Sequence, residues 1–122
     1  RMQASPHALI DALYSGINAL DATGLRTLFV PGTTLVRIGP PLVVMTFDTW
    51  ATALPTVFTE NEELELSRLV EVHGALAHVT SRFLIRHRTT KQPVRAGTNA
   101  LTLALSDGAW RIAAAVWVAD PG

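Results

Sequence analysis

The chain has 122 residues, 48% apolar and 16% charged, a balance that suits one folded domain with a usable core and excludes disorder. Ten basic residues match ten acidic ones, so the electrostatic footprint of a nucleic-acid or anionic-membrane binder is missing. There is no cysteine, hence no disulfide, thiolate nucleophile or zinc–thiolate site, and no apolar run approaches the roughly 20 residues of a membrane-spanning helix. The expectation is a single domain over residues 1–122, cytoplasmic and without a cofactor. The N-terminus shows no signal-peptide pattern, and Arg1 before Met2 reads as a remnant of recombinant expression, set aside from the fold.

Ser5-Pro6 is a helix start, the serine hydroxyl taking an orphan amide while proline's fixed φ suits the first helical position. A helix over about 6–20 follows, with Leu9, Leu13, Ile17 and Leu20 recurring at three- and four-residue steps, Ile10 beside them and Tyr14 at the edge of the stripe. Asp21 can cap a second, shorter helix carrying Leu25, Leu28 and Phe29, which Pro31-Gly32 ends. Thr33 to Ile38 is β-branched and predicts a short strand stopped by Gly39-Pro40-Pro41. Thr46 caps a third helix, Asp48 in its first turn suits the dipole, and Pro55 is expected to close it after Trp50 and Leu54.

The second half predicts two hairpins. Asp107-Gly108 between apolar runs is a strong type I′ turn signal, and counting outward pairs Leu105 with Trp110, Leu103 with Ile112, Leu101 with Ala114 and Asn99 with Val116 on an inner face. A two-residue turn at Gly74-Ala75 pairs Val72 with Ala77, Val70 with Val79, Arg68 with Ser81, Leu66 with Phe83 and Leu64 with Ile85, again facing inward. The outer partners then come out as Glu71 with His78, Glu63 with Arg86 and Ser67 with Arg82, which matches charges. Residues 62–70 also tolerate a helical reading, with Glu62, Leu66 and Val70 at four-residue steps. Strands this long twist and curl, and helices placed on one side of such a sheet leave a natural pocket between the layers. The fold class is therefore α+β, three N-terminal helices packed on a curved antiparallel sheet.

The order of elements, the run from Arg68 to Phe83, the stretch from Arg95 to Leu101 and the ending from Asp107 to Ile112 with Trp117 resemble the nuclear transport factor 2-like superfamily, in particular its bacterial SnoaL-like members. The resemblance covers nearly the whole chain and implies a cystatin-like cone and a homodimer. Its members include ketosteroid isomerases, polyketide cyclases, dehydratases, epoxide hydrolases and non-catalytic modules, so it implies a scaffold and no single chemistry. Where ketosteroid isomerases carry a base aspartate, the stretch from Thr34 to Ile38 has no acid; Tyr14 fits an oxyanion donor, but the second donor acid has no match. Arg68 can stand for the centre of the Asp-Arg-Asp set of the epoxide hydrolases, yet no flanking carboxylate has inner parity.

Arg68, Ser81 and Asn99 interrupt the apolar inner face. An arginine there must find an anion or reach water along its stem, and Ser81 and Asn99 either orient a ligand or satisfy buried backbone. His87 shares the parity of Phe83 and Ile85 and is a rim general-base candidate or a solvated loop margin, with Tyr14 the other weak catalytic candidate. Tyr14, Trp50, Phe58, Phe83 and Trp110 wall an apolar cavity or fill it, and Asp48 and Arg37 are placed to approach its mouth. His7 is expected at the surface, and no histidine pair has zinc spacing, so no metal is expected. The expected ligand is a small apolar molecule with a carbonyl or carboxylate oxygen, held by Arg68, Asn99, Ser81 and Tyr14 against Trp50 and Phe83; isomerase, cyclase or lyase chemistry is one reading, and a non-catalytic scaffold with a filled core is the other. The outer face, read as Ala100, Ala104, Ala113, Ala115 and Trp117, is flat and apolar and is expected to pair with a second copy.

Overall fold

The computed structural model describes residues 3–122, so the reading of Arg1 and Met2 lies outside the described residues. The elements run α1 (Pro6–Asn18), α2 (Ala22–Arg26), β1 (Thr34–Ile38), β2 (Val43–Thr46), α3 (Phe47–Phe58), β3 (Asn61–His73), β4 (Leu76–His87), β5 (Pro93–Ser106) and β6 (Ala109–Ala119). The strands form one sheet in the order β2-β1-β6-β5-β4-β3, antiparallel except where β1 runs parallel to β6. The helices lie on its concave side, as the patterning predicts for an α+β cone.

The helix starts follow their capping chemistry. Ser5 accepts from the Ala8 amide at 3.0 Å, Asp21 from Gly24 at 3.0 Å and Thr46 from Thr49 at 3.1 Å. Leu9, Ile10, Leu13, Tyr14 and Ile17 are buried along one face of α1. Pro55 does not close α3: the helix continues to Phe58, because proline removes only its own donor and Leu54 and Phe58 anchor the last turn in the core. The chain after Pro41 forms an unforeseen edge strand, β2, whose Met45 opposes Leu35.

Both hairpin turns lie where expected. Asp107 and Gly108 have positive φ (52° and 75°), as a type I′ turn requires, and Gly74 takes φ 61° at the first position of its two-residue turn. Near the turns the pairing is the predicted one: Leu105 with Trp110, Leu103 with Ile112, Arg68 with Ser81, Val70 with Val79. Further out, two β-bulges change the phase. Leu66 is an extra residue between Glu65, opposite Phe83, and Ser67, opposite Arg82. Ala113 is an extra residue on β6, since Leu103 faces Ile112 but Thr102 faces Ala114.

Each bulge reverses the faces beyond it. On β3, Leu66 is turned out to 55% exposure, while Glu63 and Glu65 take the inner positions opposite Ile85 and Phe83; the ion pair to Arg86 falls to Glu62 instead of Glu63. On β6, Leu101 faces Ala115 and Asn99 faces Trp117, so Ala115 and Trp117 belong to the concave side and not to the outer face. The outer face is carried instead by Ala100, Ala104, Ala114, Val116 and Val118, with Ala113 at the bulge. The strand reading of residues 62–70 holds over the helical one.

Gly97 marks a close approach of β5 to β6 and to Phe83. A Cβ there would lie 2.3 Å from the Val118 carbonyl oxygen and 2.5 Å from the Phe83 ring. The backbone oxygen cannot yield as a flexible side chain would. Gly97→Ala is expected to destabilise the fold by about 1–3 kcal/mol, as overpacked cores do, measured as a lower midpoint in urea unfolding; an unchanged midpoint would mean that β5 and β6 separate freely there.

Candidate functional site

Between α1, α3 and the concave sheet lies a cavity of about 440 Å³. Its wall is apolar, with Ile17, Phe29, Trp50, Phe58, Phe83, Leu101 and Trp117 among its residues, and its polar residues are Glu63, Asn99, Arg37 and Arg95. The aromatics of the first half hold one another in place: Phe29 lies 5.2 Å from Phe47 and 5.6 Å from Trp50 between ring centroids, in tilted geometry.

Glu63 reaches this cavity only because of the Leu66 bulge. Its backbone is clamped at both polar atoms by Asn18, the last residue of α1: the Glu63 amide donates to Asn18 Oδ1 at 2.7 Å, and Asn18 Nδ2 donates to the Glu63 carbonyl at 2.8 Å. Arg88 secures the same corner, donating through Nη2 to the carbonyls of Asn18 at 2.6 Å and Phe58 at 2.9 Å, where the ends of α1 and α3 expose unpaired acceptors. Glu63 is only 8% exposed. Burial pushes its pKa up to about 7, against the opposing pull of the Asn99 amide and the Arg95 guanidinium. A carboxyl with that value in an apolar cavity can both take and return a proton near neutral pH.

Behind Glu63 runs a chain of hydrogen bonds whose direction follows from its partners. The Arg68 guanidinium, which can only donate, grips Glu65 and also reaches Asp11 at 2.6 Å and the His7 carbonyl at 3.2 Å. Ser81, fully buried, donates its one hydrogen to Glu65 Oε2 at 2.6 Å. Its oxygen must therefore accept from the Tyr14 hydroxyl at 2.7 Å, and Tyr14 in turn accepts from Asn99 Nδ2 at 3.3 Å. The Tyr14 pKa is pushed up to about 12, chiefly by burial.

The expected site residues thus divide into two groups. Asn99, Trp50 and Phe83 line the cavity; Arg68, Ser81 and Tyr14 form the chain behind it and do not. The anion that Arg68 needs comes from the protein itself, Glu65 and Asp11, although its side chain is only 15% exposed. Tyr14 directs its proton to Ser81, which removes it as an oxyanion donor. His87 lies outside the cavity, its Nδ1 accepting from the amides of Thr89 and Thr90 at 3.2 Å in the β4–β5 turn, which occupies the lone pair a base would use. Asp48 is engaged by Arg26 rather than by the mouth. His7 is exposed, as expected.

Two residues lay beyond the sequence reading. Glu63 is the inner carboxylate that unbroken alternation does not supply, and the only available signal is that Glu63 to Leu66 alternates glutamate and leucine, so both phases are written in it. Asn18 carries no local signal at all. Among the described residues no cluster of three His, Cys, Asp or Glu is placed to hold a metal ion, and no helix is long and apolar enough to cross a membrane.

No protein-family model matches this sequence, and no curated protein matches it. Solved structures do. A protein of unknown function from Mycobacterium tuberculosis is 24% identical with a TM-score of 0.80, over 95% of this chain and 70% of the other. A nuclear transport factor 2-like protein from Novosphingobium aromaticivorans is 15% identical with a TM-score of 0.79, over 93% of this chain and 79% of its own. A protein of unknown function from Nostoc punctiforme, with a cystatin-like fold, is 10% identical with a TM-score of 0.79, over 99% and 97%. The chain has the cystatin-like fold of nuclear transport factor 2-like proteins, as its sequence resemblance implies.

The raised Glu63 pKa has a consequence for stability. The folded protein binds this proton up to about pH 7 while the unfolded chain releases it near 4.5. Stability from this group is therefore full below about pH 4.5 and is lost as pH rises through 7. Glu63→Gln is expected to remove that slope, making the variant more stable than wild type at pH 8 by up to about 3 kcal/mol. Urea midpoints of both proteins at pH 4.5 and 8 test this, and parallel pH dependences would show that Glu63 titrates as an ordinary surface carboxyl.

Proposed function

We propose that the cavity binds a small, mostly apolar carbonyl compound and that Glu63 moves a proton on it, in chemistry of the isomerase, cyclase or lyase type. The observation that carries this reading is a carboxyl with a pKa of about 7 set in the wall of an open apolar cavity. Proton abstraction next to a carbonyl needs such a base near neutrality, and the Asn99 amide beside it is the polar group available to orient the substrate. The volume left open speaks against the reading in which the cone is filled by its own aromatics. Cytoplasmic residence belongs to the same proposal.

The test uses a panel of small cyclic and β,γ-unsaturated ketones in deuterated water, with deuterium uptake at the α-carbon followed by NMR. The expected result is uptake catalysed by the wild type for at least one ketone and slowed at least 100-fold by Glu63→Gln, a loss in the range of general-base removal. Ketones that bind without exchange would leave a binding protein and no enzyme.

The outer sheet face supports a separate proposal, that a second copy covers it. Ala100 and Ala114 are exposed there between Leu69, 61% exposed, and Val118, 37% exposed, which makes an apolar strip that water solvates poorly. Ala100→Glu is expected to convert dimers to monomers in sedimentation velocity. A wild type that is already monomeric at micromolar concentration would refute the pairing, as would a variant that stays dimeric.

A further inference from the structure

The basic residues of this chain are mostly accounted for. Arg26, Arg68, Arg82 and Arg86 each pair with a carboxylate, Lys91 joins Glu62, and Arg88 caps helix ends. Among the described residues Arg37, Arg95 and Arg111 have neither an ion pair nor a side-chain hydrogen bond, and of these three Arg37 and Arg95 line the cavity while Arg111 does not. Their positions follow from the register. Arg37 on β1 lies beside Trp117 on β6, Trp117 pairs with Asn99 on β5, and Arg95 follows on β5 past Gly97 and its partner Ala119. Both guanidinium groups therefore rise from the same end of the cone, and both residues are exposed, which makes that end the mouth.

We infer that Arg37 and Arg95 form an anion-binding mouth that holds the carboxylate of an amphipathic acid, with the apolar body of the ligand directed inward between Phe83, Leu101 and Trp50. This rests on the cavity being the binding site and deepens that reading by naming the substrate class. The charge arithmetic of the cavity supports it: the lining residues include two permanent cations and one carboxyl, Glu63, which burial keeps largely protonated below neutral pH. Guanidinium forks match a carboxylate geometrically, and at the rim of a low-dielectric wall they attract an anion more strongly than in free solution. The same placement sets orientation. Glu63 shares its cross-sheet row with Ile85 and Arg95, and Asn99 shares its row with Trp117 and Arg37, so a head group held by the two guanidinium groups lies beside the Glu63 carboxyl and the Asn99 amide and chooses which of its neighbouring carbons meets that carboxyl.

Octanoate and octan-1-ol share one apolar chain and differ in the head, and tryptophan fluorescence reads either one, since Trp50 and Trp117 line the cavity. Octanoate is expected to bind at least tenfold more tightly than octanol at low salt, and the preference should shrink as ionic strength rises. Arg37→Gln and Arg95→Gln, both at exposed positions, should each weaken octanoate several-fold and leave octanol unchanged, and the double variant should abolish the preference. Equal binding of the two probes, or octanoate binding that survives the double variant, would overturn the anion-binding mouth while leaving the cavity a binding site. If neither probe binds at millimolar concentration, the cavity reading falls and the mouth falls with it.

Discussion

One additional residue in β3 governs the chemistry of this molecule. Without the bulge at Leu66, two-residue alternation would put Leu64 and Leu66 on the concave face and the glutamates in solvent, leaving the cavity without a carboxyl. With it, the hydrophobic gain of burying Leu66 is forgone and two carboxyl groups are turned inward. The two then meet different surroundings. Glu65 finds Arg68 and Ser81, so its charge is matched; Glu63 is buried in an apolar wall, and that burial holds its proton against the pull of Asn99 and Arg95. Neighbouring positions on one strand thus produce a structural anion and a candidate acid–base group.

What the sequence could show ran as far as its turns and periodicities reach. The Asp107-Gly108 and Gly74-Ala75 turns fixed the pairing of the residues nearest them, because loop length dictates register there. Helix starts at Ser5, Asp21 and Thr46 were equally legible, since a side-chain oxygen beside free amides is a local device. The bulges at Leu66 and Ala113 are not, because neither a leucine nor an alanine marks a bulge by residue type, and alternation along β3 and β6 inverts beyond them. Unbroken alternation therefore places Ala115, Trp117 and Glu63 on the outer face, whereas Ala115 and Trp117 line the cavity and Glu63 is buried. Arg68 was read on its correct face; what sequence could not supply was the identity of its anion, which comes from α1 and from Glu65 on the bulged strand.

Burying a carboxyl that lacks a charged partner costs free energy, and the strand that carries it has to be held in place by other bonds. Here the compensation is geometric. Asn18 ties the Glu63 peptide to the end of α1 with two hydrogen bonds, and Arg88 ties that end to the end of α3. These bonds go to main-chain atoms and leave the carboxyl itself without a charged hydrogen-bond partner, so its position is determined while its proton stays mobile. Local rules are broken at this one strand and satisfied around it, the arrangement expected where a fold gives up stability for a site.

The hydrogen-bond chain behind the cavity determines which polar groups remain for a ligand. Because Ser81 gives its hydrogen to Glu65, Tyr14 must give its own to Ser81, and the phenol presents only lone pairs toward Asn99. Reversing the chain would take the Ser81 hydrogen away from Glu65, whose oxygens accept from Arg68 and Ser81. A hydroxyl that could have stabilised a developing oxyanion is thereby committed to orienting an amide, and Asn99 becomes the link between the fixed network and the cavity. The hydrogen-bond donors among the lining residues are then Asn99, Glu63 in its acid form, the guanidinium groups at the mouth and the indoles of Trp50 and Trp117, and of these only Glu63 can also give up a proton near neutral pH.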